Sequence, residues 1–120
     1  MVGIDIVEIK RIERTLKLQG FLTKYFSESE REYIRKKNFA PQTVAGMFAA
    51  KESVAKALGT GFSEKVFIND IEILHDELDK PIVKLIKGAL ERLKELGFKG
   101  IEISISHEKH YAVAACVCCL

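Results

Sequence analysis

The sequence predicts an α+β fold in which a mainly antiparallel sheet packs with one long buried helix. Three observations carry this. Apart from three charges at Lys51, Glu52 and Lys56, the stretch from Thr43 to Leu58 carries almost nothing polar on any side when wound at about 100° per residue, which marks a helix inside a core. The last two apolar strands are separated only by Glu108-Lys109-His110 or so, a hairpin spacing. The order strand, helices, strands, helix, strands lacks the regular alternation of a doubly wound parallel sheet.

Taken in order, Val2-Gly3-Ile4-Asp5-Ile6-Val7-Glu8-Ile9 reads as a strand, apolar enough to predict a central place in the sheet. Ile9, Ile12 and Leu16 share one face of a first helix, which Gly20 stops. Ser27-Glu28-Ser29-Glu30 is a capping box that opens a charged helix to about Lys37. Asn38 to Pro41 breaks it before the long helix, and Gly59-Thr60-Gly61 ends that. Phe67 to Leu74 alternates as a strand, Asp76 to Pro81 turns, and Ile82 to Ile86 pairs back. Ala89, Leu90, Leu93 and Leu96 stripe a last helix ending at Gly97. Ile101 to Ser106 and Tyr111 to Leu120 close the sheet, the final strand being apolar on both faces. No linker, repeat or low-complexity segment interrupts residues 1–120, so a single domain is expected.

Composition narrows the function classes. The net charge of +2 conceals an asymmetry. Residues 1–56 hold 11 Lys/Arg against 7 Asp/Glu, a balance of +4, and residues 57–120 hold 8 against 10, a balance of −2. The basic half invites an acidic partner, yet the excess is too small and too poor in interleaved aromatics for a nucleic-acid surface. No run of about 18 apolar residues is present and the N-terminus shows no basic leader region, so a soluble cytoplasmic protein with no membrane segment is expected. Cys116, Cys118 and Cys119 lack the spaced partners of a zinc site and are read as reduced, packed thiols.

The chemistry concentrates in Phe48-Ala49-Ala50-Lys51-Glu52-Ser53-Val54-Ala55-Lys56. Val44, Met47, Phe48, Ala55 and Leu58 form the apolar sector of this helix. Ala45, Gly46, Ala49, Ala50, Ser53 and Ala57 form an opposite side small enough for another backbone to approach. Lys51 falls inside the apolar sector, while Glu52 and Lys56 lie one turn apart at its edge. Charges there are costly to desolvate unless paired, so they face each other or a bound ion. A solvated Glu52–Lys56 pair is the plainer alternative. Asp5, set among β-branched residues, is either a turn or cap residue near the chain end or a second hard ligand. Asp5 and Glu52 together would suit Mg²⁺, which takes one or two carboxylates and completes its shell with phosphate and water.

These segments resemble the holo-[acyl-carrier-protein] synthase family, the short, trimeric 4′-phosphopantetheinyl transferases. The resemblance rests on Gly3-Ile4-Asp5-Ile6-Val7-Glu8-Ile9 with Arg11-Ile12, on Phe48-Ala49-Ala50-Lys51-Glu52-Ser53 with Lys56-Ala57-Leu58-Gly59, and on Ser104-Ile105-Ser106-His107, in that order and spacing. It implies a 4′-phosphopantetheinyl transferase-like fold and a reaction of fatty acid biosynthesis. In that reaction coenzyme A donates its phosphopantetheine arm to a serine of apo acyl carrier protein and releases adenosine 3′,5′-bisphosphate. It places Mg²⁺ on Asp5 and Glu52, adds Lys56 as a catalytic residue, and implies coenzyme A contacts at Lys51, Lys56, Gly59 and His107. For Lys51 a reach to solvent is the alternative, for His107 a hydrogen-bonded turn, and Ser106 is read as structural. The base that takes the serine proton stays open among Lys56, Glu52 and a metal-bound water.

Two positions depart from the family, which commonly has Arg at Met47 and Gly at Asp79; losing that Arg removes a phosphate contact. Arg11 and Arg14, with Lys10 and Lys17, lie on the exposed side of the first helix and would meet an acidic helix of the carrier. The final strand, apolar on both faces, predicts an oligomer, and the resemblance makes it a homotrimer. Two rival functions stand beside this one: a Mg²⁺-dependent enzyme acting on another nucleotide diphosphate, and a non-catalytic oligomeric module.

Overall fold

The computed structural model describes residues 1–120. Its elements run β1 (Val2–Glu8), α1 (Ile9–Thr15), α2 (Phe21–Tyr25), α3 (Glu28–Lys36), α4 (Pro41–Ala57), β2 (Ile71–His75), β3 (Pro81–Leu85), α5 (Lys87–Glu95), β4 (Gly100–His107) and β5 (Tyr111–Cys119). All strand pairs are antiparallel: a three-stranded sheet of order β1-β5-β4 and a separate β2–β3 hairpin. The architecture is the α+β arrangement expected, with α4 laid across the larger sheet.

Helix α4 begins at Pro41, a residue suited to the first helical position because its missing N–H would have no partner there. Asn38 and Phe39 just before it take left-handed φ values of 57° and 55°, which separates α4 from α3. Eleven of its residues are buried, among them Val44, Met47, Val54 and Ala55. The small side of the helix receives the sheet. A Cβ added at Gly3 of β1 would lie 1.9 Å from the Ser53 carbonyl oxygen, and one at Gly46 would lie 2.8 Å from Ile105 Cγ2 of β4. Each contact is possible because one of its two partners is a glycine: Gly3 lies on the α4 backbone, and Gly46 leaves room for the Ile105 side chain.

The predicted place of the first strand needs correction. β1 is an edge strand and β5 is central, with Asp5 opposite Ala114 in the ladder. The apolarity of β1 has a different cause. Gly3, Asp5 and Val7 face α4, whereas Val2, Ile4 and Ile6 face outward and are 72%, 63% and 61% exposed. Tyr111 and Val117 of β5 are also exposed apolar residues. The final strand does hold Ala112, Ala114, Cys116 and Cys118 against the core, and all three thiols are free.

Other boundaries shift for local reasons. The first helix ends at Thr15, and after Gly20, with φ of 86°, a short second helix α2 forms that the periodicity did not signal. The expected strand from Phe67 starts only at Ile71, because Ile68–Asp70 is a 3₁₀ turn in which the Asp70 carboxylate accepts from the Phe67 N–H at 3.3 Å. The capping box of α3 is present in both directions, Ser27 N–H to Glu30 Oε1 and Glu30 N–H to Ser27 Oγ. No helix is long and apolar enough to cross a membrane.

Candidate active site

The close seating of Gly3 on Ser53 and Ala57 brings the next inward residue of β1, Asp5, beside the C-terminal half of α4. Lys56 Nζ lies 2.9 Å from Asp5 Oδ1 and 3.2 Å from the Ile4 carbonyl oxygen. The Asp5 side chain is largely covered, 15% exposed, and that of Lys56 is half-exposed. Lys56 thus turns away from the i, i+4 pairing with Glu52 that spacing alone suggests. Its pKa is raised, first by the hydrogen bond to Asp5 and then by that carboxylate's charge.

Glu52 is half-buried on the same side. Its carboxyl is pushed up first by desolvation and then by the negative charge of Asp5, while Lys56 and Arg11 act from a distance in the other direction. Two carboxylates from separate elements therefore share a partly dehydrated corner served by one ammonium in contact. No cluster of three or more metal-ligating side chains occurs anywhere in the chain. The donor set, two hard oxygens and no protein cage, fits an ion such as Mg²⁺ that keeps waters and takes phosphate oxygens.

Lys51 is the clearest correction among the site residues. It does not reach solvent. Its ammonium lies 2.7 Å from Glu30 Oε1, 2.8 Å from the Tyr25 carbonyl oxygen and 4.9 Å from the centre of the Phe26 ring, with its side chain 1% exposed. Burial pulls its pKa down and the Glu30 carboxylate opposes that. A cation enclosed in this way is a structural partner and is removed from the set of coenzyme A contacts.

The remaining residues lie around this corner and beyond it. Gly59, with φ of 79°, ends α4, its N–H donating to the Lys56 carbonyl at 3.0 Å. His107 ends β4, is exposed, and lines a cavity of about 200 Å³ with Gly46, Met47, His75, Asp79 and Ile105. Met47, where an Arg was commonly expected, puts an apolar side chain into that wall. Arg11 and Arg14 are exposed on α1, Arg14 being 3.9 Å from Glu8.

Two residues escaped sequence reasoning. Glu30 was read only as a cap, yet it is fully buried, and its second oxygen accepts from the Ile73 N–H at 2.9 Å. The signal available was the apolar setting of Lys51, which demanded a carboxylate from elsewhere. His75, which no motif singles out, stacks flat on Tyr33 at 3.6 Å, and its Nδ1 is buried with no hydrogen-bond partner. Asp79 nearby is held by Lys37 at 2.7 Å.

Comparison with known proteins decides the family. The model of the 4′-phosphopantetheinyl transferase superfamily matches residues 1–116. The chain belongs to that superfamily. It is 45% identical over 114 residues to the holo-[acyl-carrier-protein] synthase of Clostridium tetani, covering 94% of this chain and 90% of the relative. Among solved transferases of the superfamily, that of Helicobacter pylori in complex with coenzyme A superimposes with a TM-score of 0.86 at 34% identity, covering 98% of this chain and 99% of the other. The Bacillus anthracis holo-(acyl-carrier-protein) synthase, in complex with CoA (3′,5′-ADP), gives 0.81 at 36% identity, covering 98% and 93%. The fold is that of these transferases over 98% of the chain.

Proposed function

We propose that this chain is a Mg²⁺-dependent holo-[acyl-carrier-protein] synthase. It transfers the 4′-phosphopantetheine arm of coenzyme A to a serine of apo acyl carrier protein and releases adenosine 3′,5′-bisphosphate, in the cytoplasm and in the service of fatty acid biosynthesis. The observation that carries this reading is the convergence of Asp5, Glu52 and Lys56 at one corner of a superfamily fold.

The attacking atom is the carrier serine Oγ and the target is the phosphorus that bears the pantetheine arm. A new O–P bond forms, the bond to the adenosine 5′-phosphate oxygen breaks, and the serine proton goes to a base. Mg²⁺ bound by Asp5 and Glu52 would supply Lewis-acid neutralisation of the pyrophosphate. Lys56, with a half-exposed ammonium, places a positive charge on the phosphate oxygens, where charge develops as the bond breaks. Lys56, Glu52 and a water on the metal are the three bases this corner offers for the serine proton. Gly59 and His107 extend the coenzyme site, and Arg11 and Arg14 present positive charge to the acidic carrier.

The unit of function is residues 1–120 as one domain, assembled as a homotrimer through the outward face of the sheet, where Val2, Ile4, Ile6 and Val117 are exposed. An apolar patch of this kind on a small domain marks a protein contact. Incubation with coenzyme A, Mg²⁺ and a competent apo carrier, followed by weighing of the carrier, tests the reading. A gain of one phosphopantetheine that requires divalent metal is expected. An unchanged carrier mass at high enzyme concentration overturns it.

A further inference from the structure

The Lys56 ammonium contacts the carboxylate that the proposed function assigns to a divalent ion. It sits 2.9 Å from Asp5 Oδ1 and is steadied by the Ile4 carbonyl at 3.2 Å, while the Glu52 carboxylate makes no side-chain hydrogen bond and no ion pair. The charges are thus distributed as a placeholder would distribute them: one ammonium in contact with Asp5, and a second carboxylate left without a contacting cation. The side chain that makes the contact is half-exposed, long and flexible, whereas Asp5 is fixed in a strand and largely covered. If one partner moves, it is Lys56.

We infer that Lys56 is a displaceable countercharge: it occupies Asp5 while the metal is absent, and arrival of the divalent ion drives its ammonium off Asp5 toward the substrate phosphates. This rests on the reading of Asp5 and Glu52 as the metal ligands. It adds that Lys56 and the metal compete for the same carboxylate, so that the lysine keeps metal affinity low until phosphate oxygens are present to complete the shell. The ion then enters together with the coenzyme, and the freed ammonium is delivered where the leaving phosphate gathers charge.

Competition has a measurable sign. A competitor that holds the site about four-fifths of the time weakens the apparent metal affinity about fivefold, and removing it restores that factor. Mn²⁺ binding to the coenzyme-free protein, followed by loss of the free-ion paramagnetic resonance signal, reads this without any turnover. Lys56→Met is expected to tighten Mn²⁺ by about fivefold, whereas Lys56→Arg, which keeps the charge and the pairing, is expected to leave it near wild type. Arg11→Gln removes a charge that acts on Glu52 only from a distance, and should tighten Mn²⁺ far less. Equal or weaker binding in Lys56→Met overturns the inference, as does equal tightening in Arg11→Gln, which would show general charge and not contact at work. Asp5→Asn separates the two levels. If it binds Mn²⁺ as wild type does, the metal-site reading itself fails; if it loses Mn²⁺ while Lys56→Met gains nothing, only the competition fails. A thermal unfolding curve on each variant confirms that the protein measured is folded.

Discussion

Lys51 and Glu30 form a fully enclosed ion pair, 2.7 Å between Nζ and Oε1, that ties the middle of α4 to the first turn of α3. Every acceptor of the carboxylate is engaged: Oε1 takes the Ser27 N–H and the Lys51 ammonium, and Oε2 takes the Ile73 N–H. The pair therefore joins α4, α3 and β2.

Breaking one side of this pair strands a buried charge, and that costs far more than the pair itself contributes. Lys51→Met and Glu30→Gln are each expected to lower unfolding stability by about 3–5 kcal/mol in urea titrations. The double variant should cost clearly less than the two added together, because the second change removes the group the first left unpaired. Single-variant losses below about 1 kcal/mol would place the pair among ordinary surface contacts.

Asp5→Asn and Glu52→Gln should each reduce carrier modification by about a hundredfold or more, the scale on which lost electrostatic stabilisation of a transition state is felt. Neither should unfold the protein. Glu52 is pushed toward its protonated form by burial and by Asp5, so a neutral amide relieves repulsion there. Turnover near wild type in either variant, measured by carrier mass at ordinary Mg²⁺, would remove that residue from the site.

Burial lowers the pKa of His75 below the ordinary 6.5, against the charges of Asp79 and Asp76 and with help from Lys37. The unfolded chain therefore takes up this proton at higher pH than the folded one. The stability contributed by the neutral ring is fully present above about pH 6.5 and is lost as pH falls from there toward the folded pKa. Melting curves from pH 8 to 5.5 should show that decline, and His75→Phe, which keeps a ring to stack on Tyr33, should flatten it. Equal declines in both proteins would assign the effect elsewhere.

What could be read in the sequence, and what could not, follows from the range of the forces involved. Asp5, Glu52 and Lys56 are conspicuous because a charge inside an apolar element is improbable without a reason, and that reason is visible in a window of a few residues. Which of the carboxylates Lys56 contacts was not legible, because it depends on how closely Gly3 lets β1 lie on α4. The place of β1 was misjudged for a related reason: Ile4 and Ile6 would look the same whether covered by a neighbouring strand or by a second molecule. Glu30 and Lys51 lie 21 residues apart in the sequence. The Tyr33–His75 stack likewise forms only once α3 packs on β2.

Arg11 and Arg14 are exposed, and rim charges act on encounter more than on the bound state, with screening by salt. The KM for the acyl carrier protein should therefore rise with ionic strength. Charge reversal at Arg14 should raise it further at low salt and make it less sensitive to salt. Arg14 has only a 3.9 Å contact with Glu8 to lose, so the fold should be unaffected. A KM indifferent to both changes would take α1 out of the carrier surface.

The outward face of the sheet gives the last prediction. Val2, Ile4 and Ile6 of β1 stand with Tyr111 and Val117 of β5 as exposed apolar residues, on the side away from α4. Burial accounts only for an assembly, since two-fold dimers are the commonest closed form; the number three is what the resemblance read from the sequence implies. Sedimentation should show a trimer, and Val117→Glu, which sets a charge into this face without touching Asp5, Glu52 or Lys56, should dissociate it. If the active sites lie at subunit boundaries, activity should fall in step with dissociation. Mixing Asp5→Asn subunits with His107→Ala subunits should then recover part of it, because some boundaries pair an intact Asp5 with an intact His107. A fully active monomer would defeat the assembly altogether, whereas a dimer would leave the apolar face explained and the trimer wrong.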